Sequence, residues 1–238
     1  MSNKESTPGL INWIGYLAIT LLITLPLAVL TVRSGAWQQG LLVYAISCLG
    51  AAVLLLAAAI MMLLPKFAPW RSALAKRAVF ALPGTIMLLS LMAGGDYPPI
   101  HDITTDTADP PAFVMAPGER GDGSNSLDTK PETIEAQLAA YPDLETLVTP
   151  APIEDTFTRA RETAQALGWE IYNEDISAGI IEAVDTTAIM GFQDDIVIRL
   201  RTNADGTLVD LRSVSRVGVS DLGANAARIR QFVDAFQP

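Results

Sequence analysis

Asp194–Arg216 reads DDIVIRLRTNADGTLVDLRSVSR. Two alternating runs, Asp195–Thr202 and Thr207–Arg216, flank Asn203-Ala204-Asp205-Gly206. Asp-Gly between alternating runs is a strong hairpin signal. Ile196, Ile198 and Leu200 fall on one face with Val209 and Leu211. The other face carries Asp195, Val197, Arg199, Arg201, Asp210, Arg212 and Arg216. With Asp205-Gly206 as the two turn residues, Arg201 faces Asp210, Arg199 faces Arg212 and Asp195 faces Arg216. A four-residue turn changes these partners but not the faces, because the shift is even.

The elements outward from the hairpin complete a domain. Downstream, Leu222, Ala226, Ile229, Val233 and Phe236 step by four and three, which predicts a helix over about Asp221–Phe236 capped by Ser220 or Asp221. Upstream, Trp169–Ile176 and Gly179–Thr186 read as two more strands. Before them, Ile153–Leu167 is an amphipathic helix with Ile153, Phe157, Ala160, Ala164 and Leu167 on one stripe and Gly168 as its C-cap. The order is α-β-β-β-β-α. Short turns between consecutive strands imply an antiparallel sheet. Two helices with one apolar stripe each imply that both cover one face, in a two-layer α+β domain with a four-stranded sheet.

Arg199, Arg201, Arg212 and Arg216 on the second face admit two readings. One is a cross-strand charge ladder, worth about 0.2–1 kcal/mol per opposed pair, which also keeps the open face from aggregating. The other is a site for carboxylate or phosphate, which guanidinium groups bind in bidentate fashion. Asp102, Asp106 and Asp109, upstream of the domain core, are equally able to pair with these arginines internally.

Those aspartates lie in a proline-rich segment, residues 97–152, that holds nine of the chain's 15 prolines. Pro98-Pro99 and Pro110-Pro111 favour extended chain, Gly118–Ser126 reads as a loop, and Pro131–Tyr141 as a short helix with proline in its first turn. Ile100, Ile103, Phe113, Tyr141 and Leu144 are candidates to anchor the segment on the core. His101, the one histidine of the chain, stands beside Asp102. It lacks the ligand spacing of a zinc site, and the neighbouring acids lack the alternation and closing glutamate of a calcium loop. No metal site, cofactor or catalytic residue is assigned.

The first third of the chain has a different composition. Leu10–Val32, Leu41–Leu64 and Ala78–Ala93 contain no Asp, Glu, Lys or Arg. About 20 apolar residues cross a bilayer as a helix, and Met92-Ala93-Gly94-Gly95 can extend the short third run. Residues 1–96 are therefore expected to form three membrane spans, over about 10–32, 41–64 and 78–95. The segment 97–152 and the core 153–238 follow. Between the second and third runs lie Lys66, Arg71, Lys76 and Arg77 with no acid. Retention of positive charge inside places that loop and the N-terminus in the cytoplasm and the last domain across the membrane. Trp13, Tyr16, Trp37, Tyr44 and Trp70 lie near run ends, where interfacial aromatics are expected. Pro26 and Pro83 are candidate kinks. Cys48, the one cysteine, sits in the second run, so the outer domain has no disulfide.

Charge divides at the same place. Residues 1–95 hold one acid and six Lys or Arg, and the rest holds 25 acids and ten Lys or Arg, a net of −15. A domain of that charge is repelled by nucleic acid and by anionic headgroups, so nucleic acid is excluded as a partner.

Asp194–Phe232 (DDIVIRLRTNADGTLVDLRSVSRVGVSDLGANAARIRQF), together with Pro98–Phe113 (PPIHDITTDTADPPAF), resembles the bacterial family called domain of unknown function 1499. The most specific stretch is Arg212-Ser213-x-Ser215-Arg216-x-Gly218-x-Ser220-Asp221-x-Gly223-x-Asn225-Ala226. The resemblance covers nearly the whole outer domain. It implies a small envelope or organelle-associated domain, often behind membrane helices, and hence a bacterial inner membrane and a periplasmic domain here. It brings no reaction and no catalytic residues. Physically, the stretch joins a strand to a helix. Arginines beside a helix start can bind an anion, which makes Arg199, Arg201, Arg212, Arg216, Ser220, Asp221 and Asn225 the candidate ligand-binding set. The same residues can instead lock a loop, with Asp221 as the internal partner of an arginine.

Three functions compete. One is a non-catalytic envelope module that binds a small anionic ligand or a partner. Another is a hydrolase using Ser or Asp around the arginines, against which stand the lack of a Cys in the domain and of a G-x-S-x-G elbow. The third is an accessory subunit packing on a membrane-protein partner through Gly50, Ala51, Ala52, Ala57, Ala58 and Ala59. The lipid bilayer is a partner in all three.

Overall fold

The chain is described here over residues 7–237 by a computed structural model. Lys4 and Glu5 of the charge count lie outside these residues. The chain divides into two compact units, residues 1–94 and 95–238.

In the first unit, α1 (Gly9–Arg33) and α2 (Trp37–Leu63) are continuous helices. The third apolar segment is a composite. A 3-10 stretch, Pro65–Trp70, leads into α3 (Arg71–Ala78), then a 3-10 turn, Val79–Ala81, then α4 (Leu82–Met92). The expected loop at 65–77 is thus helical. The break has a local cause. Pro83 has no N–H to give the carbonyl of Val79 and its ring crowds that carbonyl, so the helix tightens one turn earlier. Pro26, by contrast, is carried inside α1. All three segments are long and apolar enough to cross a membrane.

They pack through small residues. Ala18, Ala51 and Ala81 form one buried cluster, and Gly84 lies against Ala51 and Cys48. Thr24 Oγ1 and Ser47 Oγ share a hydrogen bond of 2.7 Å between α1 and α2. Arg77 Nη2 donates to Asn12 Oδ1 at 2.8 Å, which puts the end of α3, just ahead of the apolar run from Ala78, beside the start of α1. Gly40 of α2 lies against Val32 and Ala28 near the end of α1. The helices therefore run up, down and up.

In the second unit, six strands among the described residues form one antiparallel sheet: β1 (Asp102–Thr104), β2 (Leu147–Thr149), β3 (Glu170–Asp175), β4 (Ile180–Thr186), β5 (Gln193–Asn203) and β6 (Gly206–Ser215). Their order is β1-β6-β5-β4-β3, and β2 also pairs with β6. The four expected strands are β3 to β6. The two extra ones come from the proline-rich segment, where three residues between turns leave no periodicity to read. They lie end to end along β6, β1 opposite 212–214 and β2 opposite 207–209.

α7 (Ile153–Ala166) and α8 (Ala224–Phe236) both cover one face. Phe157, Ala160 and Ala164 of α7, and Ala226, Ile229, Phe232 and Phe236 of α8, share a core with Ile196, Ile198, Leu200, Val209 and Leu211. Trp169, Phe232 and Phe236 stack within it. α7 ends in a Schellman arrangement, with Trp169 N–H on Ala164 O and Gly168 N–H on Gln165 O. Ile100, Ile103, Tyr141 and Leu144 join the core from the proline-rich segment.

Two sequence expectations change here. The hairpin turns on Ala204-Asp205, not Asp205-Gly206. Asn203 faces Gly206, Arg199 faces Asp210, Val197 faces Arg212 and Asp195 faces Val214. Neither turn residue has a positive φ, so no primed turn forms. Gly206 takes φ 134° instead, where a Cβ would lie 2.1 Å from Thr149 O, so the close approach of β2 fixes the register. The shift is even and every residue keeps its face. The second change concerns α8, which begins at Ala224 rather than Asp221, after Gly223 at φ 81°. Leu222 therefore falls outside the helical stripe and is exposed, and Phe232, which the expected stripe did not include, is fully buried in the core.

Candidate functional site

The second face of the sheet is covered by the proline-rich segment, which lies across it as a strap. Each of the four arginines on that face ends on a carboxylate. Arg199 Nη2 meets Asp106 Oδ2 at 3.1 Å and Asp210 Oδ2 at 3.0 Å, and its Nη1 meets Asp109 Oδ2 at 3.0 Å. Arg201 Nη2 reaches the same Asp106 and Asp210 oxygens at 2.9 and 2.8 Å. Arg212 grips Asp102 with Nε and Nη2 at 2.9 and 2.8 Å, donates to the carbonyls of Pro111 and Leu127, and lies over the Phe113 ring. Arg216 grips Asp195 with Nε and Nη2 at 3.0 and 2.8 Å. Asp195 and Asp210 are wholly buried. Such desolvated charges are tolerable only when paired and hydrogen-bonded.

The electrostatics follow the same pattern. Burial works to raise the Asp106 carboxyl, but the N–H groups of Asp109 and Ala108 and the Arg201 guanidinium outweigh it and hold the group below the ordinary carboxylate range. Arg216 is raised, by its hydrogen bonds to Asp195 before any other cause.

Two further strap anchors escaped the sequence reading. Glu182 is fully buried on β4 and accepts the N–H groups of Val114, Met115 and Ala116, and the Asn173 amide. These N–H groups stand at the start of α5 (Ala116–Glu119). A lone carboxylate inside Ile180-Ile181-Glu182-Ala183-Val184 is the signal that points to it, since a buried acid in an apolar strand needs donors. Arg120 comes from the loop after α5. Its Nη1 lies 3.5 Å from Asp195 Oδ2, its Nη2 donates to Asn125 O, and burial lowers its guanidinium. α6 (Pro131–Ala140) closes the strap: Gln137 both donates to Thr104 O at 2.6 Å and accepts from Thr104 N at 3.0 Å, continuing the sheet past β1.

Ser220, Asp221 and Asn225 are not in this arginine cluster. They lie with the start of α8, on the helix side. Asn225 is fully buried. It donates to Ser215 Oγ and His101 O, and its Oδ1 accepts from Ser213 Oγ at 2.6 Å and Arg228 Nη1 at 2.6 Å. Arg228, also missed from sequence although three residues after Asn225 on the same helical face, continues to Asp194 and Asp185. Asp221 accepts from Gly223 N and Asn225 N, so its partners are backbone groups rather than an arginine. Burial raises its carboxyl despite these bonds. Ser220 Oγ donates to Pro98 O, and Asp221 N–H to Ile100 O.

The stretch from Arg212 to Asn225 therefore ties the end of β6 and the start of α8 to residues 98–102 of the strap. A family model described as Protein of unknown function (DUF1499) matches residues 102–236, from the first residue of β1 to the last of α8. The chain belongs to this family. No curated protein matches it. The DUF1499 match includes the strap as well as the α-β-β-β-β-α core, in keeping with a domain whose two parts share their charges. Among the described residues of this DUF1499 chain, no three His, Cys, Asp or Glu side chains are grouped to hold a metal ion.

An open cleft of about 300 Å³ lies on the strap side of that junction, lined by His101, Asn125, Ser126, Asp128 and Lys130 among others. His101 Nδ1 lies 3.3 Å from Val219 O across its rim. The cleft's lining mixes cations, acids and amide groups with the apolar side chains of Ile100 and Val219.

Proposed function

We propose that this DUF1499 protein is a membrane-anchored, non-catalytic binding module of the bacterial cell envelope. It is a multi-pass protein of the cytoplasmic membrane, with a cytoplasmic N-terminus and a periplasmic C-terminal domain that engages a protein partner or a small anionic ligand. The observation that carries this reading is the internal neutralisation of Arg199, Arg201, Arg212 and Arg216, each within hydrogen-bonding distance of a carboxylate. Arginines so engaged hold shape rather than await a substrate. Ser220, Asp221 and Asn225 do the same for the α8 junction, and the cleft beside His101 and Lys130 is left as the open polar surface. The orientation is supported by Lys66, Arg71, Lys76 and Arg77 ahead of the apolar run from Ala78 and by the up-down-up helices, in which Arg77 at the head of that run lies beside the start of α1.

The test is purification of the full chain from native membranes, with mass spectrometry of the proteins and lipids that accompany it. A partner or ligand that is retained by the natural chain and lost on His101→Ala or Lys130→Ala supports the proposal. Company unaffected by either change, or a reaction catalysed by the purified protein, contradicts it. A reporter fused at the C-terminus tests the orientation: activity confined to the cytoplasm overturns it.

A further inference from the structure

The loop between β6 and α8 carries apolar side chains that the fold does not use. Val219 is 74% exposed and Leu222 56%. Leu222 has φ 53°, the one non-glycine residue at positive φ among those described. A left-handed leucine is a cost that must be held in place by its surroundings, and here it turns an apolar side chain outward. The loop is fixed by Asp221 N–H on Ile100 O, Ser220 Oγ on Pro98 O and the turn bonds of the Asp221 carboxylate. Those bonds also turn the Asp221 carboxylate inward, and the loop's other charge, Arg216, is held on Asp195. Tyr97 joins the patch: its ring lies against Gly223, where a Cβ would come within 2.6 Å of it, and the residue is 42% exposed.

What covers this patch is indicated by the chain itself. Tyr97 stands five residues after Met92, the last residue of the third membrane-crossing segment. At roughly 3.3–3.6 Å per residue its Cα lies within about 18 Å of the end of that helix. The polar layer on each side of the hydrocarbon is itself roughly 5–8 Å thick. Tyr97 itself is thereby tethered within reach of the headgroup layer. Tyrosine with neighbouring aliphatic side chains is a composition found at that depth, and the exposed charges at its border, Asp128, Lys130 and Glu132, line the cleft that Val219 shares. Asp96, exposed one residue earlier, fits the wet headgroup layer and limits the insertion to it.

We propose that Val219, Leu222 and Tyr97 form a foot that rests in the headgroup–acyl boundary of the bilayer, with lipid as its occupant. This rests on the membrane-anchored reading above. The foot also explains how a domain of net −15 approaches a lipid surface: it does so through a loop whose two charges, Arg216 and Asp221, are bonded within the domain.

The experiment uses the full chain with Cys48→Ala, reconstituted in phosphatidylcholine nanodiscs. A bimane label is placed at Val219→Cys, Leu222→Cys or, as control, Ile176→Cys. Ile176 is exposed in the β3–β4 turn, at the opposite end of the sheet. The foot predicts blue-shifted emission at 219 and 222 and its loss when the acyl chains are brominated near the headgroup, with the label at 176 unchanged. Equal, unquenched emission at all three positions overturns it. So does a label at 222 shielded from aqueous iodide yet indifferent to brominated lipid, which means that protein covers the loop. Chain that does not co-elute with the nanodiscs sinks the anchoring itself, an outcome separate from failure of the foot.

Discussion

Arg212 carries the sharpest residue-level expectation. Its side chain and that of Asp102 are almost fully buried, 4% and 8% exposed. Removal of one member of a buried pair leaves an uncompensated charge, which costs about 3–5 kcal/mol, whereas replacement of both by apolar groups is often near neutral. Arg212→Ala is therefore expected to lower unfolding stability by about 3–5 kcal/mol, and the double change Asp102→Leu with Arg212→Met by much less. Denaturant unfolding of the full chain in detergent, followed at Trp169 in the domain core, measures both. A single change that leaves stability intact would return Arg212 to the candidate ligand residues. Acid provides a second test. The folded Asp106 carboxyl lies below its ordinary value, so its contribution is present above about pH 3.9, the unfolded value, and is lost as pH falls through the lower folded value. Asp221 is shifted the other way: its contribution is present below the unfolded value and lost as pH rises through the folded one. Asp106→Asn is thus expected to flatten the loss of stability below about pH 4, and Asp221→Asn to relieve a loss above it. Unfolding midpoints across pH 2–7 check these signs.

Among the elements, the β5–β6 hairpin was legible because alternation fixes faces independently of register. Ile196, Ile198 and Leu200 had to point away from Arg199 and Arg201 whichever residues turned. The register itself was not legible, because it depends on Thr149 O, more than fifty residues upstream, pressing on Gly206. Gly206→Ala is expected to push β2 off β6 and to cost more than about 1 kcal/mol, since alanine fits neither the torsion nor the contact. Loss of the Leu147–Thr149 amides' protection in hydrogen exchange, with β5 still protected, is the expected signature. β1 and β2 were hidden by their length. The start of α8 was misplaced because Leu222 sits in phase with Ala226 and Ile229 in sequence, whereas Gly223 breaks the helix behind it. For the site, the aspartates of the strap were legible as possible partners of the arginines. Glu182, Arg120 and Arg228 were not, because their partners are backbone N–H groups and residues brought close only by the fold.

At the scale of the whole molecule, three apolar segments and a wrapped acidic domain divide the chain between two solvents. The strap is part of the folded domain rather than a spacer. It supplies two strands, four core side chains and the carboxylates for Arg199, Arg201 and Arg212. Amide hydrogen exchange on the full chain in a bilayer tests that claim most directly. If strap and core are one cooperative unit, the amides of Ile103, Thr104 and Met115 exchange about as slowly as those of Ile196–Leu200, and Arg212→Met accelerates the strap amides. Strap amides that exchange freely while Ile196–Leu200 stay protected would contradict the account, because the arginines would then stand open on the sheet.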